Sequence, residues 1–148
     1  MKILFLFLFL FQSCELIKKQ KTDRIKTNPV VYFEIPVADM NRAAKFYETV
    51  FGFEFERKII DNYEMSLFPF KKEASGISGS LAKGDVYQPT KDGIILYFKT
   101  ESIDETLKKV ILLNSKILYP KTDNGLGYVA EFEDSEGNRI ALSEDYSR

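Results

Sequence analysis

The 148 residues include no histidine and a single cysteine, Cys14. Without imidazole the chain lacks the side chain best tuned for proton transfer near neutral pH, and a Ser-His-Asp triad is excluded. Ser78 and Ser80 have no visible base partner. Catalytic zinc needs three protein ligands drawn from His, Cys, Asp and Glu, so only carboxylates are left to build a metal site. An all-oxygen set of that kind suits Mg²⁺, Ca²⁺ or Mn²⁺ better than Zn²⁺, Ni²⁺ or Fe²⁺. Glu34 is the first carboxylate to consider. In the strand-like run around it, alternation puts Tyr32 and Glu34 on one face and Phe33, Ile35 and Val37 on the other. Glu34 could act as a base only if burial raised its pKa.

Residues 30–55, VVYFEIPVADMNRAAKFYETVFGFEF, must position these groups. They read as strand, short turn, amphipathic helix and second strand. Met40, Ala43, Ala44, Tyr47 and Val50 recur at helical spacing behind Asp39, a residue able to cap the free amides of the first turn. A weaker copy, ILYFKTESIDETLKKVILLNSKIL, follows 63 positions later, with Ile103, Leu107, Val110 and Leu113 matching Met40, Ala44, Tyr47 and Val50. There Ser102 and Glu105 have capping-box spacing. Further strands are predicted at residues 53–60, 63–68 and 77–83, with Asp61-Asn62 as a turn. In the second half they fall at 94–99, 115–119, 127–133 and 138–143, with residues 135–138 as the turn of the last hairpin. The pattern is an α+β class domain of two βαβββ modules, about 28–84 and 93–146, joined by the linker 84–93.

The segments PVADMNRAAKFYETVFGFEF, DGIILYFKTESIDETLKKV, PKTDNGLGYVAEF and DSEGNRIAL occur in an order and spacing that resemble the vicinal oxygen chelate superfamily. This group contains glyoxalase I, the bleomycin-resistance proteins and the extradiol dioxygenases. The resemblance covers residues 28–144 and implies curved sheets that form a cup with the ligand site inside. Metal-binding relatives take ligands from the first and last strands of each module. Here those places fall on Tyr32, near Ile95, near Ser78 or Gly79, and on Ala141, none of them a good ligand. The resemblance therefore implies no metal and no cofactor. Placed around those positions, Tyr32, Glu34, Tyr97, Glu131 and Arg139 are the expected ligand-binding residues, with Ser143 beside them. Glu131 faces inward on this reading, and Glu144 lies just beyond Ala141. The competing reading leaves the acids solvated or paired with Arg139 and Lys99, and the tyrosines as filling for a closed cup.

The N-terminus has its own pattern. Met1-Lys2 is followed by nine apolar residues and then Gln12, Ser13 and Cys14, the layout of a bacterial lipoprotein signal peptide. The apolar run is too short to span a bilayer. Residues 1–13 are expected to be cleaved, Cys14 to carry the lipid, and residues 14–27 to act as a tether, which places an exported domain at a membrane on the periplasmic or cell-surface side. Phe11 departs from the leucine usual three residues before the cysteine. Loss of Lys2 leaves 20 basic against 22 acidic residues, a net charge of −2. No nucleic-acid footprint is present.

The leading expectation is a membrane-tethered, metal-free domain that holds an unidentified small organic ligand. Alternatives are a lyase, isomerase or dioxygenase-like enzyme using a carboxylate-bound divalent ion, and a scaffold kept for dimerisation. A homodimer is compatible with each.

Overall fold

The computed structural model describes residues 30–146. The expected leader and tether, with Cys14, lie outside the described residues. The first module runs β1 (Tyr32–Pro36), α1 (Met40–Phe51), β2 (Glu56–Ile60), β3 (Tyr63–Leu67) and β4 (Ser78–Lys83). The second repeats the order with β5 (Leu96–Lys99), α2 (Ile103–Leu112), β6 (Ile117–Asp123), β7 (Tyr128–Glu133) and β8 (Arg139–Glu144). Each module makes one four-stranded sheet, ordered β1-β4-β3-β2 and β5-β8-β7-β6. The first strand of each pairs parallel with the last, and the other pairs are antiparallel. The duplicated βαβββ reading is what the chain forms.

Local chemistry sets the boundaries. Asp39 Oδ1 accepts from the amides of Asn41 and Arg42 at 2.9 and 3.0 Å, which makes it the α1 cap expected from sequence. Gly52 ends α1 in the left-handed region at φ 74°, its N–H bonded to the Glu48 carbonyl at 2.8 Å. Ser102 caps α2 through Glu105 N, but Glu105 turns to Lys108 Nζ instead of reaching back, so only half of the capping box forms. Asp61 and Asn62 both have positive φ and join β2 to β3 as a two-residue hairpin turn. Residues 53–55, read as strand, are instead an aromatic run whose phenylalanines pack on the core. β6 extends past its expected end through Pro120. It is an edge strand with two register shifts, which is where a residue without an N–H is tolerated.

One core serves both modules. Six of the twelve α1 residues are buried, and the rings of Phe46 and Tyr47 reach Phe132 and Phe98 of the second module at 6.0 Å in each case. Phe98 is also surrounded by Phe33, Phe51, Phe53 and Phe68, with centroids 5.1 to 6.2 Å away. Full burial of such a ring is worth about 1.5–3 kcal/mol by transfer. That applies to Phe46, Phe68 and Phe132, whereas Phe33, Phe51, Phe53 and Phe98 are partly buried and contribute less. Because α1 touches its own sheet and the partner module together, both sheets turn their helix-bearing faces inward. Their other faces are turned outward.

The β7–β8 turn locks the modules together. Asp134, nearly inaccessible, accepts from Tyr47 Oη at 2.9 Å, from Asn138 Nδ2 at 3.0 Å and from the amides of Glu136 and Asn138. Glu136 crosses to the first module, where its carboxylate accepts from the amides of Ala38 and Asp39 and from Arg42 in a fork with both distances 2.8 Å. Asn138 completes the crossing by donating to the Pro36 carbonyl and accepting from Thr90 N. From sequence these residues read only as a hairpin turn. Burial is the first influence on both carboxyls: it raises Asp134, whereas in Glu136 the Arg42 and Asp39 hydrogen bonds outweigh it and lower the pKa.

Candidate functional site

Strand register fixes which side chains share the outward faces. On the first sheet Tyr32 lies beside Ser78 and Glu34 beside Ser80, and the pairing continues to Met65 and Leu67 on β3. On the second, Tyr97 and Glu131 flank Ala141, Arg139 pairs with Glu133, and Tyr119 sits beyond Glu131. All five residues singled out from sequence therefore occupy faces free of helices, two on one sheet and three on the other. Tyr32 and Tyr97 are 46% and 56% exposed, so neither is filling for a closed interior. Phe33 and Ile35 pack inward on the core, as alternation predicts.

The two faces differ in charge. On the second sheet Arg139 Nε donates to Glu131 Oε2 at 2.7 Å and its Nη2 shares the same oxygen, so the pair is neutral in sum. Lys99 engages Asp145 rather than one of the inward-read acids. On the first sheet Glu34 Oε2 accepts from Tyr87 Oη at 2.7 Å. That hydrogen bond is the main reason the Tyr87 phenol is pushed up to about 12. Tyr87 also meets the Tyr63 ring edge-on, at 5.3 Å and 87°. Sequence reasoning missed Tyr87 because it lies in the linker, which carries no strand or helix period. The only local signal was Gly84, whose carbonyl accepts the Tyr87 amide at 3.2 Å and whose missing Cβ leaves room for Tyr63.

The residues at the positions where the resemblance implies metal ligands do not fit a divalent ion. Tyr32, Ser78 and Ala141 supply no carboxylate, imidazole or thiolate, and Ser78 Oγ is spent on the carbonyls of Phe68 and Pro69. Glu144 pairs with Tyr128, on the face opposite Ala141, where it holds Lys121 at 3.0 Å and the Ile103 amide at 2.6 Å. Among the described residues no three His, Cys, Asp or Glu side chains converge as a metal-binding group. A groove of about 530 Å³ opens elsewhere, between α1 and the β7–β8 turn. Its Arg42 and Glu136 are already bonded to each other, so the outward faces are the better candidate site.

A protein-family profile described as bleomycin resistance protein-like N-terminal matches residues 30–68, which span β1 to β3. A search of curated protein sequences finds no match. Among solved structures, a glyoxalase/bleomycin resistance protein/dioxygenase domain from Frankia sp. EAN1pec aligns with TM-score 0.64 and 16% identity, covering 81% of this chain and 99% of that one. The fold is that of the glyoxalase/bleomycin-resistance proteins. TnmS3, an antibiotic-binding protein from Streptomyces sp. CB03234, shares this fold at TM-score 0.59 and 21% identity over 82% of this chain and 99% of its own. The trypanothione-dependent glyoxalase I of Leishmania major does so at 0.63 and 20%, over 80% and 87%. The glyoxalase/bleomycin-resistance fold thus houses a binder and an enzyme, and side chains must discriminate between them.

Proposed function

We propose that this chain binds a small organic molecule on the outward faces of its sheets without a divalent metal. The observation that carries this reading is the composition of those faces: exposed tyrosines with a few polar groups, and no ligand set at the metal positions. Ligand pockets generally combine such apolar walls with a few orienting polar groups. The neighbour described as an antibiotic-binding protein lends support, since it puts small-molecule binding on this fold. Because both faces of one chain point outward, a homodimer completes the cup by setting the first-module face of one copy against the second-module face of another.

The test is a thermal-shift screen of the detergent-solubilised full-length protein after chelation, against divalent ions and a library of aromatic and cationic small molecules. Stabilisation by organic ligands with no response to ions is expected. A stoichiometric ion that survives purification and raises Tm would overturn the reading. We further propose that Cys14 is lipidated, on the strength of the leader sequence. Metabolic palmitate labelling should mark the wild type and leave Cys14→Ser unlabelled. An unlabelled, unprocessed wild type refutes the anchor.

A further inference from the structure

We propose that Glu34, together with the rings of Tyr32, Tyr63 and Tyr87, forms a receptor for a small organic ammonium group on the outward face of the first module. The inference rests on the ligand-binding reading above and names the chemical class that this half of the site selects.

Three features converge on it. First, Glu34 is exposed and uses only Oε2, for Tyr87, which leaves Oε1 without a hydrogen bond among the described residues. Second, the Tyr63 and Tyr87 rings meet at a right angle and form a corner beside that carboxylate, and Tyr32 stands two residues along β1 on the same face. Tyr32 and Tyr63 are both near enough to act electrostatically on the Tyr87 phenol. Third, among the described residues the local charge is negative and no ion pair joins Glu34. Asp85 lies against Tyr63 as a second carboxylate. Lys83 and Arg57 meet Glu64 on the opposite face at 3.4 and 3.9 Å, and Lys58, which stands beside Met65 on this face, is paired with Glu56 at 2.9 Å.

Ring faces carry the negative lobe of the aromatic quadrupole and attract a cation within about 6 Å of the centroid. A carboxylate adds a full charge at the same place. Together they suit an alkylammonium group, which is bulky and weakly hydrated, better than a bare metal ion that needs several oxygen ligands. They repel an anion. The second module has a carboxylate in the corresponding lining, Glu131, but Arg139 neutralises it, so the preference is confined to one half of the site.

Choline and its neutral carbon isostere 3,3-dimethyl-1-butanol separate charge recognition from hydrophobic contact. Binding to the detergent-solubilised full-length protein is followed by calorimetry and by tyrosine emission, which is unobscured because the chain has 8 tyrosines and no tryptophan. Choline is expected to bind at least tenfold more tightly than the alcohol. Glu34→Gln should abolish that preference while keeping the wild-type Tm, since the amide oxygen still accepts from Tyr87. Tyr87→Phe, which removes the competing O–H but keeps the ring, should bind choline as tightly as wild type or more so. Equal binding of choline and alcohol, an undiminished preference in Glu34→Gln, or no choline binding at all would each overturn the inference. If neutral members of the ligand library still stabilise the protein in that event, the broader binding reading stands. If they do not, both fail.

Discussion

Asp134→Ala is expected to lower the unfolding free energy by about 3–5 kcal/mol, read as a drop in the urea midpoint. Loss of one partner from a buried charged network leaves the remaining groups without bonds, and that penalty exceeds the net worth of any one hydrogen bond. Here the stranded groups are Tyr47 Oη and the amides of Glu136 and Asn138, while Asn138 Nδ2 loses one of its two acceptors and keeps the Pro36 carbonyl. Tyr47 is fully buried at the centre of the ring cluster, and Asp134 is the one acceptor its hydroxyl has among the described residues. Tyr47→Phe supplies the control. It removes the donor and leaves Asp134 its other three bonds, so a smaller loss of about 1–2 kcal/mol is expected. Equal losses in the two variants would show that the Tyr47–Asp134 bond is the whole of the hub's contribution and that its other three bonds add nothing.

The pH dependence of the same clasp follows from opposed shifts. Glu136 has a folded pKa below its ordinary 4.5, so its contribution is complete above that value and is lost as pH falls through the lowered one. Asp134 is shifted upward from 3.8, so with respect to that group stability is fullest below 3.8 and declines as pH rises through its raised value. Glu136→Gln removes the first of these effects. As pH falls below 4.5 its stability should therefore decline less steeply than that of wild type. A variant as acid-sensitive as wild type would place the acid response in other carboxylates, Asp39 first among them, whose helix-capping bonds also lower its pKa.

What the sequence revealed and what it hid divide along a physical line. Periodicity is a local property, so the two helices, their caps at Asp39 and Ser102, and the facing of Tyr32 and Glu34 were all legible from spacing alone. Contacts between modules are not local. Nothing in the runs around Phe46 and Phe98 says that each ring enters the other module's core, and so the outward turn of both faces had to come from the structure. The candidate site shows the same division. Alternation separated these residues from the core-facing ones, yet it could not show that Arg139 is consumed by Glu131, or that a linker tyrosine reaches Glu34 from 53 positions away. Linkers have no period, and a side chain there is assigned a role only by what it touches.

Gly79→Val is expected to cost about 3 kcal/mol or more and to displace the candidate site's Tyr32 and Glu34. Sequence could not decide whether Ser78 or Gly79 lined the site. Register decides it: Ser78 stands beside Tyr32 on the outward face, and Gly79 beside Phe33 on the inner one. A Cβ at Gly79 would lie 2.1 Å from the Phe33 carbonyl oxygen and 2.8 Å from two of its ring carbons. The ring could move at some cost to its contacts with Phe68 and Phe98, but the carbonyl belongs to the backbone of β1 and cannot. Overpacking usually costs about 1–3 kcal/mol, and a clash with main chain belongs at the top of that range or beyond it. β1 must then move away from β4, and with it go Tyr32 and Glu34, the two groups the first face contributes. Phe33→Ala in the Gly79→Ala background relieves only the ring contact, so it should restore little of the lost stability. Full recovery in that double variant, or a Gly79→Val protein with the wild-type urea midpoint, would mean that β1 and β4 do not lie in this register.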